Sequence, residues 1–302
     1  MDTRFLEDGK KIYNHNKDNN PEKTMKEDAE EDERTADRLD QYWNALTNLS
    51  PQLVEDATNA LEPYVNPDRI ERIDSVLNQR TQNTRFLFEN PSNPSNVWAC
   101  LRSIDSFGIQ FVDVVIDNEE YEGKQVITQK RGMRTAMGSA QWLTIRNHLS
   151  TKAAIKKLKS EGYKLYASDL NPTSKDIRTM NWNEDNNKED DNTKICIIMG
   201  NEQNGISDEM REMADETFTL PMSGFAESFN LSVATAITLA HLSSASSDKK
   251  GPLRPGDLDV HTKNCLRLKG IWNSLAQKRM GNAVLKRKNV QLPEEITKFN
   301  NN

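Results

Sequence analysis

The sequence predicts an α/β fold in which a mainly parallel sheet carries helices on both faces. Two observations support this. From Thr84 onward, short Val/Ile/Phe-rich runs alternate with amphipathic segments, the rhythm of strand–helix–strand units. The runs Ile109–Ile116 and Ile195–Met199 are rich in Val and Ile, as buried strands are.

The elements follow in order. Residues 1 to about 35 combine low hydrophobicity with high charge and repeated Asn, Asp and Glu, which predicts disorder. From Ala36 to Tyr64 a weakly helical pattern runs through Leu39, Tyr42, Trp43, Leu46, Leu53, Val54, Ala57 and Leu61, broken at Ser50-Pro51. Asn66 then caps a helix, Pro67 suits its first turn, and Ile70, Ile73, Val76 and Leu77 share one face. Arg69, Arg72 and Arg80 fall elsewhere on this helix or at its end. They are solvated charges by default, and phosphate contacts on a nucleic-acid reading.

Thr84–Phe88, Ile109–Ile116, Trp142–Ile145, Tyr163–Ala167 (after the turn residue Gly162), Ile195–Met199 and Thr217–Leu220 read as strands. Val97–Ser106, Thr151–Ser160, Ser207–Ala214 and Leu231–His241 read as helices, Ser207 and Asn230 being placed to cap the last two. Residues 181–193 are too polar for a core and are expected to form a surface insertion. The segment from Lys263 to Lys288 has eight Lys/Arg and no acid, interleaved with Leu266, Ile271, Trp272, Leu275, Val284 and Leu285. It reads as a basic helix with one apolar side, a surface suited to anions. The chain thus divides into an acidic tail at 1–50, a helical extension at 51–83, the main α/β domain at 84–247 and a basic helical extension at 248–302.

Composition narrows the function. Apolar residues make up 35% and mean hydropathy is −0.81, but the shortfall is local. The first fifty residues hold thirteen acids and eight bases, so they carry −5 of the formal charge of −6. No apolar run approaches the ~18 residues a membrane helix needs. The N-terminus lacks the apolar stretch of a secretory signal and is too acidic for a transit peptide. Cys100, Cys196 and Cys265 are far apart and odd in number, which predicts free thiols in a reducing compartment, the cytoplasm by default and an organelle as the alternative. With no zinc-type spacing and four scattered histidines, no metal is expected.

Three segments carry candidate chemistry. In Asn93–Gly108, Asn96 stands at a helix start and Arg102 follows six residues on, a planar cationic fork suited to phosphate. In Ile198–Ser207, two glycines flank Glu202 directly after a buried strand, where parallel sheets bind ligands. In Leu220–Ala234, a strand end, a loop with Pro221 and Gly224, and a helix capped by Asn230 form a place to hold a small polar ligand. No Gly-x-Gly-x-x-Gly turn follows the first strand, so a Rossmann-type cofactor site is unsupported.

Together these segments resemble motifs 1, 2 and 3 of the SPOUT class of RNA methyltransferases, in its TrmH (SpoU) branch. Asn96 and Arg102 match the first. Gly200, Glu202, Gly205, Ile206 and Ser207 match the second. Pro221, Met222, Gly224, Ser228, Asn230, Ser232, Val233 and Ala234 match the third. Arg134–Gly138 with Trp142-Leu143 resembles a connecting segment of the branch. The helices flanking the domain resemble those of its tRNA-guanosine members.

The resemblance implies a C-terminal trefoil knot, S-adenosyl-L-methionine as cofactor, a homodimer, and methylation of RNA ribose 2′-hydroxyls, here a guanosine of the tRNA D-loop. It implies Arg102 as the catalytic residue, supplied across the dimer interface, with Asn96, Glu202, Ser228 and Asn230 orienting it, the ribose and the loops. Ser168, Gly200, Leu220, Met222 and Phe229 would contact the cofactor; Phe229 stands where the branch usually has Leu. Arg69, Arg72, Arg80, Lys278, Arg279, Lys286, Arg287 and Lys288 would contact RNA. The alternatives are a ribosomal-RNA methyltransferase of the same branch and a catalytically silent RNA-binding protein of this fold.

Overall fold

A computed structural model describes residues 41–92, 94–116, 139–182, 193–247 and 250–298. The expected disordered tail, the Arg134–Gly138 segment and most of the 181–193 insertion lie outside them.

Seven parallel strands form one sheet: β1 (Thr81–Glu89), β2 (Ile109–Val115), β3 (Thr144–His148), β4 (Tyr163–Ser168), β5 (Lys175–Asp176), β6 (Lys194–Met199) and β7 (Glu216–Thr219). Their order is β3-β2-β1-β6-β4-β7-β5, every pairing parallel. Side chains of a strand point alternately to the two faces, and here both are apolar. One face presents Phe86, Phe88, Val112, Val114, Ile195, Ile197 and Met199. Against it pack α3 (Pro94–Ser106), through Val97, Leu101 and Ile104, and α6 (Leu231–Ser244), through Leu231, Leu239 and Leu242. The other face presents Leu87, Val115, Leu165, Ala167, Cys196 and Ile198 to α4 (Thr151–Ser160) and α5 (Asp208–Met213).

That second face also holds a buried ionic cluster. The Asp113 carboxylate, in the middle of β2, accepts from Arg85 Nη1 at 2.8 Å and Arg146 Nε at 2.6 Å, and His148 Nε2 lies 2.7 Å away. Arg146 reaches on to Glu161 through both terminal nitrogens. Burial pushes the Asp113 carboxyl up, but the charges of Arg85 and Arg146 and the bond from His148 outweigh it and hold it well below the usual carboxylate range.

The two extensions form one helical layer. α1 (Pro51–Leu61), capped by Ser50, and α2 (Pro67–Leu77), capped by Asn66 as expected, meet α7 (Val260–Ser274), α8 (Lys278–Arg287) and α9 (Glu294–Lys298). Leu46, Val54, Leu61, Ile70, Leu268, Ile271, Trp272, Leu285 and Ile296 form their shared core. The layer is tied to the amino ends of the strands. Asp257 accepts from the Thr81 hydroxyl, Gly256 N donates to Arg80 O, and Lys269 Nζ donates to Leu143 O at 2.9 Å.

Three expectations are corrected here. The basic segment is two helices, α7 and α8, separated after Ser274. Within α7 the bases turn inward: Arg267 binds Glu62 and Asp74, and Lys269 the Leu143 carbonyl. Arg80 is only 2% exposed, its guanidinium committed to Asp105 and the Ile109 carbonyl, which removes it from any RNA surface. Trp182, at the start of the polar insertion, is buried edge-on against Tyr166 and Phe218 and belongs to the core.

Candidate active site

All three motif segments leave the sheet at its carboxyl edge, where the backbone of a parallel sheet opens towards ligand. The β1–α3 and β6–α5 connections start side by side because β1 and β6 are paired. The β4 and β7 ends adjoin them in the order β6-β4-β7.

A chain of hydrogen bonds links the segments. Ser92 donates to Glu202 Oε2 through its amide and its hydroxyl, both at 2.7 Å. Asn96 Nδ2 donates to Glu202 Oε1 at 3.1 Å, and Asn96 Oδ1 accepts from Asn230 Nδ2 at 3.0 Å. Asn230 Oδ1 in turn accepts from the Ser232 amide and hydroxyl, capping α6. Asn96 therefore lies inside the first turn of α3 as a bridge between two loops rather than as its cap. Burial pushes the Glu202 carboxyl up, yet the bonds from Ser92 and Asn96 prevail and hold it below its ordinary range. Glu202 is an ionised acceptor and a weak base.

The loop after β6 is closed by its own backbone. Asn201 N donates to Gly205 O at 2.8 Å and Gly205 N to Asn201 O at 2.9 Å. A Cβ on Gly200 would stand 2.3 Å from Gly205 C, so only glycine fits there, while Gly205 occupies the left-handed region at φ 70°. Asn201 Nδ2 ties this loop to Asn90 O, and the buried Glu89 carboxylate accepts from Thr151, from the Ser207 amide and from the Ser207 hydroxyl. Ser92 and Glu89 were missed by sequence reasoning. An acid ending the apolar strand Phe86–Phe88 was the one available signal for Glu89.

Of the residues expected at the cofactor, Ser168, Gly200 and Leu220 stand at the ends of three neighbouring strands. Met222 is half-buried and Phe229 exposed in the loop that follows. Among the described residues, the amides from Met222 to Phe229 make no hydrogen bond to the protein, although that loop closes onto Asn230. Free amides beside the apolar Leu220 and Met222 suit a ligand with an aromatic ring and an amino-acid end. The residues present thus fit S-adenosyl-L-methionine. Among the described residues, no group of three or more His, Cys, Asp or Glu could hold a metal ion.

Two expected residues, Ser228 and Arg102, stand at the surface. Ser228 is exposed in the loop. Arg102 is exposed on α3, six residues from Asn96 and therefore about 9 Å further along the helix axis, on another face. Of the expected RNA contacts, Arg72, Arg279, Lys286, Arg287 and Lys288 are exposed. Arg69 is exposed too, over the Trp142 ring and bonded to Ser274. Lys278 is drawn against Trp272, over its ring and bonded to its carbonyl.

A profile of the SpoU rRNA methylase family matches residues 83–240. The tRNA (guanosine(18)-2′-O)-methyltransferase of Borreliella burgdorferi is 31% identical over 182 residues, covering 60% of this chain and 76% of that protein. The Escherichia coli enzyme of the same name is 30% identical over 175 residues, 58% of this chain and 69% of its own. The crystal structure of the A. aeolicus TrmH/SpoU tRNA modifying enzyme has the same fold, with a TM-score of 0.58 at 23% identity over 70% of this chain and 98% of that one. The chain belongs to the SpoU rRNA methylase family.

Proposed function

We propose that the protein transfers a methyl group from S-adenosyl-L-methionine to the 2′-oxygen of an RNA ribose, and that its substrate is tRNA, at guanosine 18 of the D-loop. The observation that carries this reading is the hydrogen-bond chain from Ser92 through Glu202 and Asn96 to Asn230, which joins three distant loops beside a run of free amides. When bound, the cofactor supplies a methyl group on a positively charged sulfur.

The chain's own task is alignment and care of the hydroxyl proton. Asn96 and Asn230 lock the first and third segments together, and Glu202, held by Ser92, fixes the second. Arg102 holds the phosphate beside the target ribose and stabilises negative charge on the attacking oxygen. It does not take the proton, because a guanidinium is not deprotonated in proteins; the hydroxyl proton passes to solvent water as the oxygen takes the methyl group.

The separation of Arg102 from Asn96 within one chain supports a homodimer in which Arg102 serves the partner's site. α6 carries the exposed apolar residues Val233 and Ile237 on one face, with the exposed Phe229 just before its cap, a surface suited to a second copy. The knotted threading expected of the family is part of the same proposal. It is supported by the way the chain leaves β7 at one side of the sheet and returns to pack α6 on α3. Arg69 and Arg72 on α2, and Arg279, Lys286, Arg287 and Lys288 on or beside α8, form the phosphate-reading surface. We place the protein in the cytoplasm, where three buried, unbridged cysteines are at home.

The test is incubation with methyl-labelled S-adenosyl-L-methionine and separate tRNA and ribosomal-RNA pools, followed by mapping of the modified ribose. Label at a D-loop guanosine of tRNA is expected. Label in ribosomal RNA alone would reassign the substrate, and cofactor binding without transfer to any RNA would overturn the enzymatic reading.

A further inference from the structure

The loop between β7 and α6 carries a phenylalanine with nothing against it. Phe225 is completely exposed, at 109% of its reference area. Its neighbours Ser223, Gly224 and Ala226 are small and exposed, and Glu227 is the one charged residue in the sequence between Pro221 and Asn230. A ring in this setting contributes nothing to the core, so its folded-state contacts do not explain its presence.

Two apolar features lie near each other here, and they differ in shape. Val233 and Ile237, about one turn apart, share an exposed face of α6, and the exposed Phe229 stands just before its cap, the kind of surface that packs against another protein. Phe225 is four residues before Phe229, off the helix and on the loop, between the small residues Gly224 and Ala226. A protein interface needs a contiguous apolar core around such an anchor. A nucleobase needs only one flat π-face, and small neighbours leave both faces of the ring open to it.

Position favours the same partner. Phe225 is five residues from Asn230, so its Cα lies within roughly 17 Å of that end of the hydrogen-bond network even with the chain fully extended. A base on the target nucleotide or next to it comes within this range when the ribose is at the network.

We propose that Phe225 is a stacking platform for a base of the RNA substrate, at or beside the methylated nucleotide. This deepens the proposed function and rests on it. Because base stacking on an aromatic ring is nearly indifferent to base identity, Phe225 contributes affinity and placement and leaves the choice of sequence to other contacts.

The test compares Phe225→Ala and Phe225→Trp with the unaltered protein. Four quantities are measured: methyl transfer to in-vitro-transcribed tRNA, S-adenosyl-L-methionine affinity by calorimetry, oligomeric state, and melting temperature. Phe225→Ala is expected to raise the KM for tRNA about ten-fold or more, leaving the other three unchanged, and Phe225→Trp to restore it. A tRNA with an abasic site at the target or at an adjacent position should cancel the penalty for Phe225→Ala at one of those positions.

An unchanged KM overturns the proposal. So does a selective loss of cofactor affinity, which would place the ring at the methyl donor, or dissociation of the oligomer, which would place it at a protein interface. A penalty for Phe225→Ala that persists at every abasic position also overturns it. If the unaltered protein methylates no RNA, the proposed function itself fails, and that result is separate from any effect of Phe225.

Discussion

Asn96 and Asn230 are 134 residues apart in the chain and share a 3.0 Å hydrogen bond, the amide of Asn230 donating to the side-chain oxygen of Asn96. The bond is directional, and each partner has its other end engaged. Asn96 donates onward to Glu202, while Asn230 accepts from the first turn of α6. The two roles of Asn230, helix cap and loop tie, can therefore be separated by chemistry.

Asn230→Asp is the substitution that separates them. Aspartate caps a helix as well as asparagine does, so the melting temperature should stay close to that of the unaltered protein. The donor to Asn96 is lost, and a carboxylate oxygen faces the Asn96 oxygen in its place. The bond is solvent-exposed, so water can take the place of the lost donor and the loss is that of one ordinary hydrogen bond, about 0.5–1.5 kcal/mol. Where that loss is felt in the alignment of the two segments, kcat/KM for RNA methylation should fall roughly 3- to 10-fold. Unchanged kcat/KM would show that the tie between the first and third segments has no part in catalysis.

The Gly200 prediction concerns space. A methyl group on Gly200 would stand 2.3–2.4 Å from the backbone of Gly205 and Ile206, and backbone cannot swing aside as a long side chain can. Gly200→Ala should therefore open the Asn201–Gly205 pairing and cost about 1–3 kcal/mol of stability or more. Because Gly200 itself is one of the residues expected at the cofactor, S-adenosyl-L-methionine binding should weaken as well. Thermal unfolding with and without the cofactor measures both effects. Wild-type cofactor stabilisation in the variant would show that the loop does not help to form the pocket.

Much of this arrangement was legible in the sequence, and the failures have physical causes. The longer strands and main helices were readable because apolar periodicity reports burial, and Asn66, Ser207 and Asn230 cap where their side chains predict. β1 begins earlier than its apolar run because Thr81 and Gln82 are held by Asp257, a partner 176 residues away from Thr81. Arg80 was misread because an arginine at a helix end is usually solvated, whereas here it turns in to Asp105 and the Ile109 carbonyl. Trp182 was concealed by the polar residues around it. In the site, Asn96, Glu202 and Asn230 stood out through their motifs. Ser92 did not, since a serine is an ordinary loop residue until the fold brings Glu202 to it.

The Asp113 cluster makes a prediction for acid. The Asp113 carboxyl titrates well below its value in the unfolded chain, so its contribution to stability is fully present above about pH 4 and is lost as pH falls below that value. Asp113→Asn removes the charge and leaves Arg85 and Arg146 facing each other's buried forks. Breaking a buried pair in this way typically costs about 3–5 kcal/mol. Urea unfolding at neutral pH should show that loss, and the variant should have a flatter stability profile between about pH 4 and pH 2. A variant as stable as the unaltered protein at pH 7 would mean that the cluster is solvated enough to be dispensable.

Lys269 shows the opposite sign of the same linkage and tests how the helical layer is joined to the sheet. Its ammonium donates to the Leu143 carbonyl from α7. Burial lowers its pKa, the charge of Arg80 lowers it further, and it falls to about 8. In the unfolded chain a lysine holds its proton to about pH 10.4. Between about pH 8 and pH 10.4 the unfolded state therefore binds more protons than the folded state, and this residue makes the protein more stable as pH rises. The full gain is on the order of 3 kcal/mol. The buried cysteines and tyrosines with raised pKa values, Cys100 and Tyr42 among them, act in the other direction over the same range. The effect is therefore read as a difference. Lys269→Met keeps the length and apolar stem of the side chain without a titrating group. Unfolding free energies of the two proteins, measured from pH 7 to pH 10.5, should diverge in favour of the unaltered chain as pH rises. Parallel curves would show that Lys269 keeps an ordinary pKa, and that its bond to Leu143 does not hold it in the seam between α7 and the sheet.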